Sequence, residues 1–255
     1  MSARGGGRPL SIWITGEPVP EAKRSAGSFA DMIRATVGDA WAGPWDVVDC
    51  VGEAALPGPG DAAGVIVTGS PARIADQLPW MRRAQDGLRR LVEADVPVLG
   101  ICFGHQLLAM ALGGRSGPNP RGREIGTVRV GLHCSDPLLG DGPRDFPASA
   151  THLDTVLELP PGAESLAATA LDRYAAVRFG PEAWGVQFHP EMTAEIIGAY
   201  VRALREKLIA EDIDPDRILD ARQETPEAAA VLRRFAARVA AGGTSPNDRR
   251  SAKSE

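Results

Sequence analysis

"PVLGICFGHQLLAMALGG", residues 97–114, contains the change of rhythm that decides the fold. An apolar run ends in Gly100-Ile101-Cys102-Phe103-Gly104, and an alanine- and leucine-rich segment follows. A strand that turns sharply into a helix lifts one side chain clear of the carboxyl edge of a sheet, where open α/β sheets bind ligands. This is the geometry of a nucleophile elbow, usually met as G-x-S-x-G. Here the lifted residue is Cys102, and Gly100 and Gly104 permit the close approach of strand and helix. The new helix aims its free N–H groups and positive dipole end at the sulfur, which favours thiolate. The competing reading is a buried structural cysteine, since free cysteines often pack in cores.

Outward from the elbow, short runs rich in Val and Ile alternate with helical patterns. "LSIWIT" (10–15), "WDVVDC" (45–50), "AGVIVTG" (63–69) and "VPVLGI" (96–101) read as strands, three of them nearly continuous in apolar character. Continuous apolar runs suit strands covered on both faces. Between them, 28–41 and 78–95 have helical spacing. In the second, Trp80, Ala84, Leu88, Leu91 and Val92 form an inner stripe and the arginines face water.

The alternation predicts an α/β fold: a doubly wound, mostly parallel sheet of flavodoxin-like type with helices on both faces. After residue 120, "EIGTVRVGLH" (124–133) and "YAAVRFGPEAWGVQFHP" (174–190) predict a small antiparallel addition. The turn-rich 135–149 between them reads as a surface loop. A helix is expected over 193–212, and another from the Thr225-Pro226 start through Val231, Leu232, Phe235 and Val239 to Gly242. The expected organisation is a domain over 8–205, a C-terminal helical extension over 206–243 packed on or beside it, and a disordered tail over 244–255.

Composition narrows the class. The chain has 255 residues and a formal charge of -5, with no basic cluster, so nucleic acid is not an expected partner. No apolar stretch reaches the roughly 18 residues of a membrane span. "MSARGGGRPL" lacks the apolar region of a signal peptide. Cys50, Cys102 and Cys134 are odd in number and widely spaced, which fits a reduced, cytoplasmic compartment. Cys102 and His105 have no second pair to complete a metal site, so neither metal nor cofactor is expected.

A cysteine nucleophile needs a base and a group to orient it. Of four histidines, His105 follows the elbow by three residues but points along its own helix, and reads as structural. His133 reads as ordinary surface, and His152 lies in a turn region, "SATHLDTV". His189 stands in "WGVQFHPEM" (184–192), at the end of an apolar strand. Glu191 is two residues on, on the same face of an extended chain, and Pro190 stiffens the bend. A carboxylate beside an imidazole fixes its tautomer and stabilises its charged form. The bland alternative is a solvated His and Glu at a strand end.

Four segments, "VTGSPARI" (67–74), 97–114, "SATHLDTV" (149–156) and 184–192, together resemble a class I glutamine amidotransferase domain. The likeness is strongest to the stand-alone branch that resembles the amidotransferase domain of GMP synthetase. The resemblance implies that Cys102 attacks the side-chain amide of glutamine, with His189 as base and Glu191 as orienting carboxylate. It further implies oxyanion donors at Phe103 and around Ser70, and substrate contacts at Gln106, Thr151 and Leu153. Gly69-Ser70-Pro71 departs from the family's frequent Gly-Gly-Pro, which a backbone donor survives if φ at Ser70 is negative. The implied partners are L-glutamine and a separate synthetase subunit, because no ATP-pyrophosphatase domain or P-loop is present. Another γ-glutamyl amine or peptide as substrate stays open, since the first acylation is the same. A non-catalytic scaffold would have lost Cys102, His189 or Glu191, and all three are present.

Overall fold

The computed structural model describes residues 7–142 and 144–242, so the tail expected to be disordered, 244–255, lies outside the described residues. In chain order the elements are β1 (Leu10–Ile14), α1 (Pro20–Ala26), α2 (Phe29–Val37), β2 (Trp45–Asp49), β3 (Gly64–Val67), α3 (Pro79–Glu93), β4 (Val98–Ile101) and α4 (Phe103–Ala111). There follow β5 (Arg115–Pro118), β6 (Glu124–Leu132), β7 (Arg144–His152), β8 (Asp154–Glu158), β9 (Glu164–Ala168), β10 (Ala176–Gly180) and β11 (Ala183–Val186). Four helices close the chain: α5 (Ala194–Ala203), α6 (Arg205–Ala210), α7 (Pro215–Ala221) and α8 (Pro226–Ala240).

One nine-stranded sheet runs β2-β1-β3-β4-β11-β10-β9-β6-β7. Its first five strands pair in parallel, and their 2-1-3-4-5 progression is the flavodoxin-like order. The remaining four continue the same sheet antiparallel. A separate ribbon pairs β5 with β8. The antiparallel addition is therefore an extension of the main sheet together with this ribbon.

Alternation within the central strands divides the core between two faces. Leu10, Ile12, Ile66, Leu99 and Ile101 join the cluster that contains the buried stripe of α8, while Trp13, Val65, Val67 and Val98 join the cluster beneath α3 and α4. A continuous apolar run thus serves both faces of a parallel strand, as its lack of polar alternation requires. Val231, Leu232, Phe235 and Val239 of α8 are all buried in the first cluster. Arg238 also grips Glu182 through two hydrogen bonds and lies over the Trp184 ring at 5.2 Å. The C-terminal helix shares a core with the strands.

Several boundaries differ from the sequence pattern. The helix expected over 193–212 is interrupted at Leu204, where φ -100 and ψ 7 leave helical geometry. The helix expected over 28–41 ends at Val37, before Gly38 in the left-handed region at φ 53. The turn-rich 135–149 is a surface loop only in part: Leu138, Leu139, Phe146 and Ala148 are buried, and β7 begins at Arg144. Pro and Gly mark where a chain turns, but not how soon it re-enters a sheet. Strands β5, β8 and β9 and helices α1 and α7 have too few residues for a period to show.

Because α8 fills core volume, Phe235→Ala is expected to destabilise the protein by about 3–5 kcal/mol. A urea unfolding curve at constant m-value checks this. A shift under about 1 kcal/mol, small beside that core-truncation range, would mark α8 as a dispensable appendage.

Candidate active site

The turn after β4 has the geometry its glycines suggested. Cys102 adopts φ 50, ψ -101, a region that non-glycine residues rarely occupy. A Cβ at Gly100 would lie 2.5 Å from the Gly104 carbonyl oxygen, and one at Gly104 would strike the Val67 carbonyl. Both glycines are therefore required by close backbone approach, as the G-x-C-x-G spacing predicts. The turn is pinned by Cys102 N–H donating to Val186 O at 2.8 Å and Gly104 N–H to Thr68 O at 3.1 Å. Between them, the Phe103 N–H has no backbone partner among the described residues. Cys102 is thus presented at the N-terminus of α4, largely buried, with Thr151 O 3.9 Å from its sulfur.

His189 and Glu191 lie beyond the end of β11, in a turn. The pairing that strand alternation suggested is made by that turn: His189 Nδ1 donates to Glu191 Oε1 at 2.7 Å. Both side chains are almost fully buried. The ring also lies against Gly69 and Cys102. A Cβ at Gly69 would sit 2.8 Å from His189 Cε1 and 3.8 Å from Cys102 Cβ. His189 Nε2 has no hydrogen-bond partner among the described residues. Burial opposes charge on His189, but Glu191 and Cys102 beside it outweigh burial and raise its pKa to about 10. Burial, with Glu191 and Cys102 nearby, pushes the Tyr200 phenol well above its ordinary range.

A cavity of about 300 Å³ opens onto Cys102 and His189. Ser70, Phe103, Gln106, Thr151 and Leu153 all line it, and Glu191 stands behind the cavity against the ring of His189. Their side chains differ in availability. Ser70 Oγ donates to Thr15 O at 2.6 Å, just past β1, and accepts from Ala72 N in its own loop, so the hydroxyl is engaged on both sides. Ser70 is not among the positive-φ residues, which meets the backbone condition stated for a serine at this position. Gln106 Nε2 donates to Asp154 O at 2.7 Å and Gln187 Oε1 at 3.1 Å, which joins α4 to the start of β8.

The remaining histidines separate clearly. His105 is fully buried, with Nε2 against Tyr174 O at 3.0 Å, and burial lowers its pKa to about 3, so it is structural and neutral. His133 is exposed. His152 is a correction: it ends β7 as a buried side chain, 3.1 Å from Glu124.

Sequence reasoning missed Tyr200 and Lys207, which also line the cavity, and did not foresee that two further lining residues, Arg73 and Asp154, pair with each other. Arg73 grips Asp154 with two hydrogen bonds of 2.9 and 2.6 Å. Asp154 lies inside a segment already singled out, but its partner is 81 residues away, which no local spacing reveals. Lys207 comes from α6.

Fold and site together define an α/β protein with a cysteine, a histidine and a carboxylate gathered at the carboxyl edge of a flavodoxin-ordered sheet. The family model "Glutamine amidotransferase class-I" matches residues 53–204, and the chain belongs to that family. It is 35% identical over 169 residues to the glutamine-hydrolyzing GMP synthase of Aeropyrum pernix, covering 66% of this chain and 29% of that protein. It is 33% identical over 133 residues to one subunit of the glutamine-hydrolyzing GMP synthase of Methanocaldococcus jannaschii, covering 52% of this chain and 66% of that protein. The chain therefore spans less than a third of the Aeropyrum relative.

A solved glutamine amidotransferase from Thermotoga maritima superposes with TM-score 0.70 at 22% identity, over 93% of this chain and all of that one. One from Methylobacillus flagellatus gives 0.67 at 26%, over 92% and 93%. These likenesses confirm the α/β fold. Among the described residues no helix is long and apolar enough to cross a membrane.

The raised pKa of His189 is a linkage statement. Its charge is favoured in the folded state, so its contribution is complete below the free value of 6.5 and is lost as pH rises toward about 10. NMR titration should find the His189 imidazole still protonated at about pH 8, between those two values. Glu191→Gln should lower its midpoint, because burial then acts with less opposition. An unchanged midpoint would show that Glu191 does not hold the charge.

Proposed function

We propose that the protein hydrolyses the side-chain amide of L-glutamine through a γ-glutamyl thioester on Cys102. The observation that carries this reading is the position of His189, between Glu191 at 2.7 Å and the elbow cysteine. Cys102 sulfur, as thiolate, attacks the amide carbon, and the carbonyl electron pair moves onto oxygen. The Phe103 N–H and a backbone donor near Ser70 receive that oxyanion. Donors already in place there lower the barrier by roughly 3 kcal/mol each. Collapse expels ammonia as His189 gives a proton to the leaving nitrogen. His189 then takes a proton from water, the hydroxide attacks the thioester, and glutamate leaves with Cys102 restored. Glu191 keeps Nδ1 protonated throughout, so that Nε2 is the nitrogen that exchanges protons.

The relatives that are single subunits of a GMP synthase suggest a separate synthetase chain as the recipient of ammonia. We place the protein in the cytoplasm, consistent with three free cysteines. A second reading, hydrolysis of another γ-glutamyl amine, is favoured by one feature. Val19, Phe29, Tyr200 and Leu204 give the cavity an apolar wall that ammonia itself does not require.

The purified chain is expected to release glutamate from L-glutamine, and Cys102→Ala to reduce that rate by about 10³-fold or more. Turnover of bulkier γ-glutamyl amines with no turnover of glutamine would replace the first reading with the second. Equal rates in wild type and Cys102→Ala would overturn both.

A further inference from the structure

Behind the wall that carries Thr151 and Leu153 lies a buried polar cluster that the proposed mechanism does not use. Its centre is His152, between those two residues. Nδ1 lies 3.1 Å from the Asp154 carbonyl, two residues on, and a carbonyl only accepts, so Nδ1 carries a proton. Nε2 lies 3.1 Å from Glu124 Oε2 on β6, and 4.0 Å from Asp172 Oδ2 in the connection between β9 and β10. Glu124 Oε1 accepts from Thr169 Oγ1 at 2.7 Å. Asp172 accepts from Thr155 Oγ1 at 2.7 Å and from Tyr174 N at 2.8 Å. All of His152, Glu124 and Asp172 are buried, and burial raises the Asp172 pKa. The other titratable groups facing the cluster are the neutral His105 on α4 and the Arg73–Asp154 ion pair.

With Nδ1 already donating, the contact between Nε2 and Glu124 needs one more proton, on either the imidazole or the carboxyl. Two acidic side chains, Glu124 and Asp172, thus stand around one imidazole. The ring spans two separate attachments. One bends the chain from β7 into β8 through Asp154 O, and the other fastens that bend to β6. Asp154 O also receives Gln106 Nε2. Leu153 O accepts from Asn119 N at 2.8 Å. The 151–154 backbone is thus held by the β6–β7 ladder, where Thr151 lies opposite Ile125 and His152 opposite Glu124, and by these side-chain anchors at the bend, while 151–154 all contribute to the cavity lining.

We infer that His152, tethered to Glu124, is a positioning residue that holds the 151–153 backbone in register for the amino-acid end of the substrate, and so sets substrate affinity without taking part in bond cleavage. The inference rests on the glutamine reading above and deepens it.

Four variants test it in the full chain: Glu124→Ala, Glu124→Gln, His152→Gln and His152→Asn. Each is followed by KM and kcat for glutamine. Each is also followed by the rates at which Cys102 is alkylated by iodoacetamide, which has no amino-acid end, and by a glutamine-shaped diazoketone. Losing either attachment should raise KM about tenfold with kcat within about threefold, the pattern of lost ground-state alignment. Diazoketone labelling should slow in proportion while iodoacetamide labelling is unchanged, which also shows that the elbow has folded. Glu124→Gln should recover most of the affinity lost in Glu124→Ala, because the amide can donate to Nε2. His152→Asn keeps only the reach to Asp154 O and His152→Gln only the reach to Glu124, so neither should restore wild-type KM.

Unchanged KM and diazoketone rates in Glu124→Ala and His152→Gln would overturn the positioning role alone. A fall in iodoacetamide reactivity equal to the fall in diazoketone reactivity would overturn it too, by showing general damage to the elbow. Failure of the wild-type chain to take the diazoketone while it still reacts with iodoacetamide would overturn the glutamine reading, and this role with it.

Discussion

The structure depends on the contact between the Gly100–Gly104 turn and its neighbours. Cys102 is held at positive φ, a conformation that costs of order 1–3 kcal/mol for a side-chain-bearing residue. It persists because the surrounding backbone leaves no other path. Gly104 abuts the Val67 carbonyl, Gly100 abuts Gly104, and Cys102 N–H is bound to Val186. Those partners belong to β3, β4 and β11, the three adjacent central strands of the parallel half. The strain at the sulfur is therefore borne by the part of the sheet buried on both faces, which is the part least able to relax. A looser scaffold would let Cys102 return to the ordinary region and swing its sulfur away from the ring of His189.

A matching constraint operates on the other side of α4. Gly185 in β11 has no room for a side chain, because the His105 ring occupies that space. The ring also packs 5.5 Å from Phe179 and reaches Tyr174 O. His105 thus braces α4 against β11 and β10. It can do so at full burial only because it stays neutral, as its lowered pKa requires. The same helix that presents Cys102 is seated by this histidine, and the same strand leads into the turn that presents His189. Cys102 and His189 therefore share a foundation, and a shift of α4 against β11 would change their separation directly.

What the sequence revealed follows from the range of each interaction. The elbow was legible because its glycines meet each other within a single turn of chain. His189 and Glu191 were legible because their pairing is local, although a turn and not an extended strand brings them together. Continuous apolar runs announced the doubly covered strands. The end of the helix at Leu204 and the short strands β5, β8 and β9 left no periodic trace. Partners across the fold were equally hidden: Arg73 and Asp154 are joined over 81 residues, His152 and Glu124 over 28. His152 reads as a turn residue in sequence because "SATHLDTV" contains small and polar residues. Its burial depends on Glu124 and Asp172, which lie on other strands and connections.

That contrast has a physical basis in how the site is divided. The proposed reacting groups sit on sharp local turns, since a turn at a strand end is how a sheet projects a side chain into an open edge. The segment proposed to face the substrate is held by the β6–β7 ladder, where His152 lies opposite Glu124, and at the bend between β7 and β8 by long-range side-chain bonds. Position 106 links the two arrangements: its side-chain amide, one turn into the elbow helix, donates to the Asp154 carbonyl that His152 also engages. The elbow and the wall thus meet at the Asp154 carbonyl oxygen, in addition to the contact of the Cys102 sulfur with Thr151 O. The hydrogen bond from Gln106 to Asp154 O therefore ties the helix that carries Cys102 to the 151–154 segment across the cavity.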